Sequence, residues 1–340
     1  MPLCISCTHP IAHLYTVYES AYNLRLEQCS NCKAFADPYV EHDSLTLLLD
    51  LILLKRGVYR HLLYNRGTEP RQASSSSSSS SSNSNSNNNA NTRTSRFVSG
   101  DTKEWLREKA RWWLILRLGS ASLAVDAFIR WAHINPEISS NISLWTPETS
   151  IAFVRITIGC LIEMLAFHGG IILASYFVMK LSDTIHAWVR RTVPPVTSGI
   201  RQQFRVSLIP LTIFYSSSTK LFLLLLLTIW QPSTTLMAQG STPQAQSYRW
   251  DPSHLNSPFI SAALEFWDED KLDREWVVRN ILGGMAAGFG LRVVLDCHPL
   301  FTTVVILAGW AVKTAVAMLM EGWIGGDERT REVWLAYSIP

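Results

Sequence analysis

Charge is scarce in this 340-residue chain: Asp, Glu, Lys and Arg supply 17% of it, hydrophobic residues 47%, and the net charge is only +3. So small a basic excess, with no stripe of cations interleaved with exposed aromatics, argues against a nucleic-acid partner. Catalytic signatures are missing as well. There is no His-Glu-x-x-His, no Gly-x-Ser-x-Gly and no glycine-rich phosphate loop before a helix, and a non-enzymatic protein is the expectation. No apolar core region stands between Met1 and the first cysteines, so a cleaved signal peptide is not expected and an internal segment would direct membrane insertion. The mean hydropathy of +0.10 averages a polar front half with a strongly apolar back half.

Cysteine is also scarce, with six in the chain, but four of them are paired: Cys4-Ile-Ser-Cys7 and Cys29-Ser-Asn-Cys32. Two Cys-x-x-Cys knuckles about twenty residues apart can bring four thiolates onto one tetrahedral ion, and structural Zn2+ is the expected cofactor. The connecting segment is slightly longer than the commonest ribbon spacing, a soft constraint because closure entropy grows only with the logarithm of loop length. Disulfides or a redox pair are the competing uses. A thioredoxin-like site would want a strand before one pair and a helix after it, and neither pattern is present. His9 and His13 are read as solvated loop residues, Cys160 and Cys297 as small buried hydrophobes.

Asp37-Pro38-Tyr39-Val-Glu41-His-Asp43 reads as a polar turn ending in a helix cap at Asp43 or Ser44. Leu45 to Tyr64 is then apolar at helical spacing. Its uninterrupted run is too short to cross a bilayer, so it is expected either to lie in the membrane plane or to pack on the knuckles. The paired cysteines, the Asp37 to Asp43 stretch, the leucine-rich segment with Asp50 and Leu54-Lys55, and Tyr59-Arg60-His61-Leu-Leu-Tyr64-Asn65 together resemble the N-terminal homology domain of the ARV family. That resemblance covers roughly the first 65 residues. It implies an endoplasmic-reticulum membrane protein that mediates sterol transport or distribution, affects sphingolipid metabolism and supports assembly of glycosylphosphatidylinositol (GPI) precursors.

A serine and asparagine tract from Ser74 to Asn91 buries too little to order itself and reads as a linker. Five apolar stretches follow, roughly 112–131, 151–179, 206–230, 277–296 and 300–320. The expected architecture is therefore a small zinc-ribbon-like N-terminal domain (1–67), a disordered linker (68–100) and an all-α polytopic membrane domain (101–340) with about five transmembrane helices. Arg107, Lys109 and Arg111 precede the first span and basic residues fill the second-to-third loop, whereas 133–150 has no Lys or Arg and the third-to-fourth loop is acidic. Positive loops stay cytoplasmic, which puts the cysteine domain in the cytosol, a reducing compartment unfavourable to disulfides. The Asn141-Ile-Ser143 glycosylation acceptor then falls on the lumenal side. Tryptophans from Trp250 to Trp276 point to an interfacial helix or a folded loop.

Arg117, Asp126, Arg155, Glu163, His168, Lys220, Arg292, Asp296 and Lys313 fall inside the apolar stretches and should face one another or a hydrated cavity. Glu163 and Lys220 are the leading pair, as an interhelical clamp or as the lining of a cavity for a lipid headgroup. Gly283-Gly284-Met-Ala-Ala-Gly288-Phe-Gly290 reads as close helix packing. Two functions remain open: lipid handling through the spans, with sterol, sphingolipid or GPI precursors as partners, and an adaptor that recruits or stabilises a membrane-bound lipid-biosynthetic enzyme through the zinc domain.

Overall fold

The computed structural model describes residues 1–18, 23–72, 89–134, 146–189, 199–229, 278–324 and 334. Most of the Ser/Asn tract, Asn141, and the stretch from Trp250 to Trp276 lie outside the described residues.

The front domain is built on a three-stranded sheet. β1 (Tyr15–Val17) pairs antiparallel with β2 (Leu24–Leu26), Tyr15 opposite Leu26, and parallel with β3 (Arg71–Gln72). The domain therefore runs to Gln72, past the expected end at Gly67. The apolar segment expected as one helix from Leu45 to Tyr64 is three pieces. α1 (Ser44–Ile52) is capped by Asp43, whose side chain accepts from the Thr46 amide. Leu54 takes a left-handed φ of 55°, which ends the first piece and turns Lys55 back onto Asp50 at 2.7 Å. α2 (Arg56–Arg60) follows, and a single π-type turn over His61–Asn65 closes the segment.

Helix resumes at Asn89, inside the expected linker. α3 (Asn89–Ile134), α4 (Pro147–Val189), α6 (Leu208–Ile229) and α8 (Pro299–Ile324) each contain a stretch long and apolar enough to cross a membrane, and α5 (Gly199–Gln202) is a single turn before α6. Pro210 sits in the first turn of α6, where a missing amide costs nothing. The expected fourth span departs from the pattern. Entered through a π-type turn, α7 (Gly283–Leu295) gives an apolar helical stretch only from Asn280 to Leu295, shorter than a bilayer needs. It ends at Asp296, which is left-handed, and Pro299 then starts α8.

α7 runs antiparallel to α6. A Cβ at Gly283 would stand 3.0 Å from the Lys220 side chain, and one at Gly290 would stand 2.7 Å from Thr212 Cγ2. α8 packs along α4 through glycines in the same way: a Cβ at Gly309 would meet Ile171 Cγ1 at 2.5 Å. The front-side ends of the spans carry ion pairs, Arg205 with Glu104 of α3 at 2.6 Å and Arg201 with Asp183 of α4.

The front domain and the spans share one core. Leu3, Leu51, Val58, Tyr59, Leu63 and Tyr64 pack with Ile200, Leu208, Leu211, Tyr215, Val293 and Val294. Thr219 Oγ1 donates to the Ile52 carbonyl at 3.0 Å, roughly 16 Å along α6 from Leu208 at 1.5 Å per residue, while Tyr59 faces Gly290 and hence the level of Thr212. α1 thus descends beside α6, and α2 climbs back. Of the two placements expected for this segment, it packs, but against the spans as well as the knuckles. Its other face, Leu45, Leu48, Leu49 and Leu53, is exposed.

Gly309→Leu should force α4 and α8 apart and cost about 1–3 kcal/mol, read as a lower thermal midpoint in detergent. Gly288→Ala, where a Cβ would meet nothing within 4 Å, should leave the midpoint unchanged.

Candidate metal centre and buried charge cluster

The two cysteine knuckles repeat one design. Cys4 accepts from the Thr8 amide at 2.9 Å and donates its own amide to the His9 carbonyl; Cys29 does the same with Lys33 and Ala34. Thr8 and Lys33 both adopt left-handed φ, 63° and 60°, and a bridge closes each loop, Leu3 to Pro10 and Gln28 to Phe35. A tight turn around each pair leaves both sulfurs on its inner side.

The four Sγ atoms lie within 4.8 Å of one another, with Cys4 to Cys32 at 3.7 Å and Cys7 to Cys29 at 3.5 Å. A tetrahedron with metal–sulfur bonds of about 2.3 Å has edges of about 3.8 Å, so the set fits a four-coordinate metal ion. All four thiols are free, at separations far beyond a disulfide bond of about 2.05 Å. His9 and His13 are exposed and outside the sulfur cluster, as expected.

Burial pushes the Cys4 thiol up to about 12. At Cys7 burial acts in the same sense, but the His9 amide and the side chains of Cys29, Asn31 and Cys32 outweigh it and bring that thiol down to about 7. Contacting thiols divided in this way cannot all ionise at neutral pH. A divalent cation at their centre removes that penalty by coordinating every sulfur as thiolate.

A buried carboxylate braces the first knuckle. Asp37, with no exposed surface, accepts from His61 Nδ1 and Asn65 Nδ2, each at 2.7 Å, and from the Tyr39 amide at 3.1 Å. Asn65 in turn donates to the Leu3 carbonyl and accepts from the Leu3 amide, both at 2.8 Å, beside Cys4. Arg60 Nη1 donates to the Ile5 and Ser6 carbonyls, inside the knuckle itself. Tyr39 OH reaches Asp50, whose carboxyl the Lys55 ammonium holds below the usual carboxylate range. The sequence motifs that carry the family resemblance are thus one hydrogen-bonded frame behind the sulfur cluster, a role their spacing alone did not reveal.

A second polar cluster lies within the spans, and here the expected pairing is corrected. Glu163 takes its cation from Arg130 of α3, Nη2 to Oε2 at 2.9 Å, instead of from Lys220. Arg130 also meets Asp126 one turn back at 3.0 Å and lies 4.5 Å from the Trp334 ring centroid. Both Arg130 and Glu163 are within 1% of full burial. Glu163 thus forms an ion pair that bridges α3 and α4. Arg130 was absent from the expected interior set. The signal available for it was the i, i+4 spacing from Asp126. Lys220 instead lines a cavity together with His168 and Lys313. Arg117, Arg155, Arg292 and Asp296 are exposed, so that only part of the expected ionic set turns inward. Cys160 is buried beside Trp131 and Ile324, and Cys297 packs against the core between α4, α6, α7 and α8, as expected of small hydrophobes.

Two mutational outcomes follow. Asp37→Ala should leave the buried His61 Nδ1 without its acceptor, cost about 1–3 kcal/mol, and accelerate metal loss to a chelator. Glu163→Leu should cost up to about 3 kcal/mol by leaving the buried Arg130 with only the half-exposed Asp126, whereas Arg130→Met with Glu163→Met should restore most of the lost thermal stability.

Among known proteins, a profile of the Arv1-like family matches residues 3–242 of this chain. Protein arv1 of Schizosaccharomyces pombe is 49% identical over 63 residues, 18% of this chain and 24% of that protein. Protein ARV1 of Saccharomyces cerevisiae is 46% identical over 63 residues, 18% and 19% respectively, and Protein ARV1 of Mus musculus 36% over 62 residues, 18% and 23%. The matched region is the N-terminal one and spans about a quarter or less of each of these three relatives. No solved structure matches the chain.

Proposed function

The chain belongs to the Arv1-like family, and on that premise we propose that it is a multi-pass endoplasmic-reticulum membrane protein of intracellular lipid homeostasis. In this reading it mediates the distribution or transport of sterol, and sphingolipid metabolism and GPI precursor assembly respond to it. The cysteine quartet holds a structural Zn2+, and the domain around it faces the cytosol. No catalytic step is assigned.

The observation that carries the reading is the shared core. The part of the chain most similar to its relatives is packed onto α6 and α7 through Leu51, Val58, Tyr59 and Leu63, and α1 turns Leu45, Leu48, Leu49 and Leu53 outward where α6 faces lipid. A cytosolic module that only recruited soluble partners would not need its core completed by membrane helices. The metal domain in this account stiffens one face of the bundle, and the spans contact the lipid.

An adaptor function has one observation in its favour. Phe35 and Tyr18 are exposed beside β2, lining a surface groove with Leu24, Leu26 and Glu41, a suitable contact for a protein partner. Cross-linking separates the two, since an adaptor captures a lipid-biosynthetic enzyme at Phe35 and leaves the spans unlabelled by a photoactivatable sterol.

Elemental analysis of the purified chain should find one zinc per molecule, lost on changing Cys4, Cys7, Cys29 or Cys32 to Ser. Cells lacking the protein should redistribute sterol between internal and surface membranes, and the wild-type chain should restore it. An unchanged sterol and glycolipid distribution would overturn the lipid reading.

A further inference from the structure

Between α3, α4, α6 and α8 the spans line a half-open cavity of about 120 Å³, on the scale of the roughly 150 Å³ void that accepts a benzene ring. An apolar void needs no explanation in a helical bundle, but this one is lined by Arg130, Lys220 and Lys313 against a single acid, Asp126, with Ser122, Ser217 and His168 between them. Three features single it out.

First, Lys313 is 7% exposed, and its ammonium makes no ion pair or hydrogen bond among the described residues. Of the two carboxylates near it, Glu163 and Asp126, each is ion-paired with Arg130, and Glu163 forms no hydrogen bond among the described residues. A lysine left without an anion near a helix centre is strongly disfavoured in a membrane. Second, Arg130 approaches Asp126 and Glu163 through Nη2 at ion-pair distance, yet Nε, Nη1 and Nη2 are all buried without a hydrogen-bond acceptor among the described residues. Third, His168 Nδ1 is 2.8 Å from the Met164 carbonyl, which can only accept, so Nδ1 donates and Nε2 is left as an acceptor. Nε2 is buried and without a partner, and the ring is held by stacking on Phe214 at 4.7 Å.

The geometry points to a binding site for an anionic group that carries a neighbouring hydroxyl, the phosphate-and-hydroxyl chemistry of an acidic lipid headgroup. Lys313 and the unused Arg130 N–H groups take the anion, and His168 Nε2 accepts from the hydroxyl. Lys220 and Ser217 complete the lining. The exposed Val125 and Leu221 stand at the edge of the cavity between α3 and α6, where acyl chains can lie against the outer surface of the spans. Lys313 is roughly 21 Å along α8 from Pro299 at 1.5 Å per residue, which puts the site well away from the sulfur cluster, at the depth where Ile52 of α1 meets Thr219 beside Lys220. The lipid source of the anion rests on the proposed function; the anion chemistry itself does not.

The test uses the full chain in detergent. Phosphatidylinositol and phosphatidylserine should raise its thermal midpoint, with phosphatidylcholine inert at equal concentration. Lys313→Gln should weaken the effect at least tenfold, Lys313→Arg should retain it, and Arg155→Gln, on the exposed surface of α4, should not alter it. In the wild-type chain a photoactivatable phosphatidylinositol should attach to cavity-lining peptides of α3, α6 or α8, a readout independent of whether the variants fold. Inorganic phosphate titrated alone separates the sources: Lys313-dependent protection by phosphate and by no lipid keeps the anion site and assigns it to a soluble ion. Equal response to acidic and neutral lipids, undiminished binding by Lys313→Gln, or photolabelling confined to other surfaces would overturn the site. Normal sterol distribution in cells lacking the protein would remove the proposed function and leave the binding result standing.

Discussion

A carboxylate sealed from water determines how the front of this molecule is built. Asp37 gathers an imidazole, a side-chain amide and a backbone amide, and through Asn65 it fixes the Leu3 backbone next to Cys4. Buried acids are tolerable only when their lone pairs are used, and here each acceptor bond joins a different element: the turn at Tyr39, the π-type turn at His61 and Asn65, and the first knuckle. The sulfur tetrahedron gets its rigidity from this frame, and Arg60 reinforces it by grasping two carbonyls within the knuckle.

Deep in the bundle the same physics has a different result. Arg130 and Glu163 neutralise each other across α3 and α4, and the Trp334 ring covers the guanidinium. Such a pair fixes which helices meet and in what register more than it adds stability, since the desolvation of both ions offsets much of their attraction. Glycines do the complementary work between α4 and α8 and between α6 and α7, where close approach replaces a hydrophobic driving force that lipid does not supply.

What could be read from the residues beforehand divides along the range of the interactions involved. The cysteine quartet was legible because its spacing is local and few other uses of paired Cys-x-x-Cys fit the surroundings. Four spans were legible because length and apolarity suffice to mark them. The break at Leu54 was not, since leucine carries no preference for the left-handed backbone it adopts there. Nor was the short reach of α7, whose glycines are apolar enough to pass for a span. The partner of Glu163 was misassigned because an ion pair between helices depends on which faces meet, and Arg130, near the end of its apolar run, looked like a boundary marker. The sharing of the front core with α6 and α7 left no trace in periodicity at all.

That sharing has a consequence for how the protein is made. Leu3 and Val294 belong to one core, although about 290 residues separate them in the sequence. Val58, Tyr59 and Leu63 stay uncovered until α6 and α7 have been synthesised and have packed against them. Contacts so distant along the chain are slow to form and leave apolar surface open to wrong partners meanwhile. The front domain is thus completed only after α6 and α7 are in place, and its maturation reports on the insertion of those two helices.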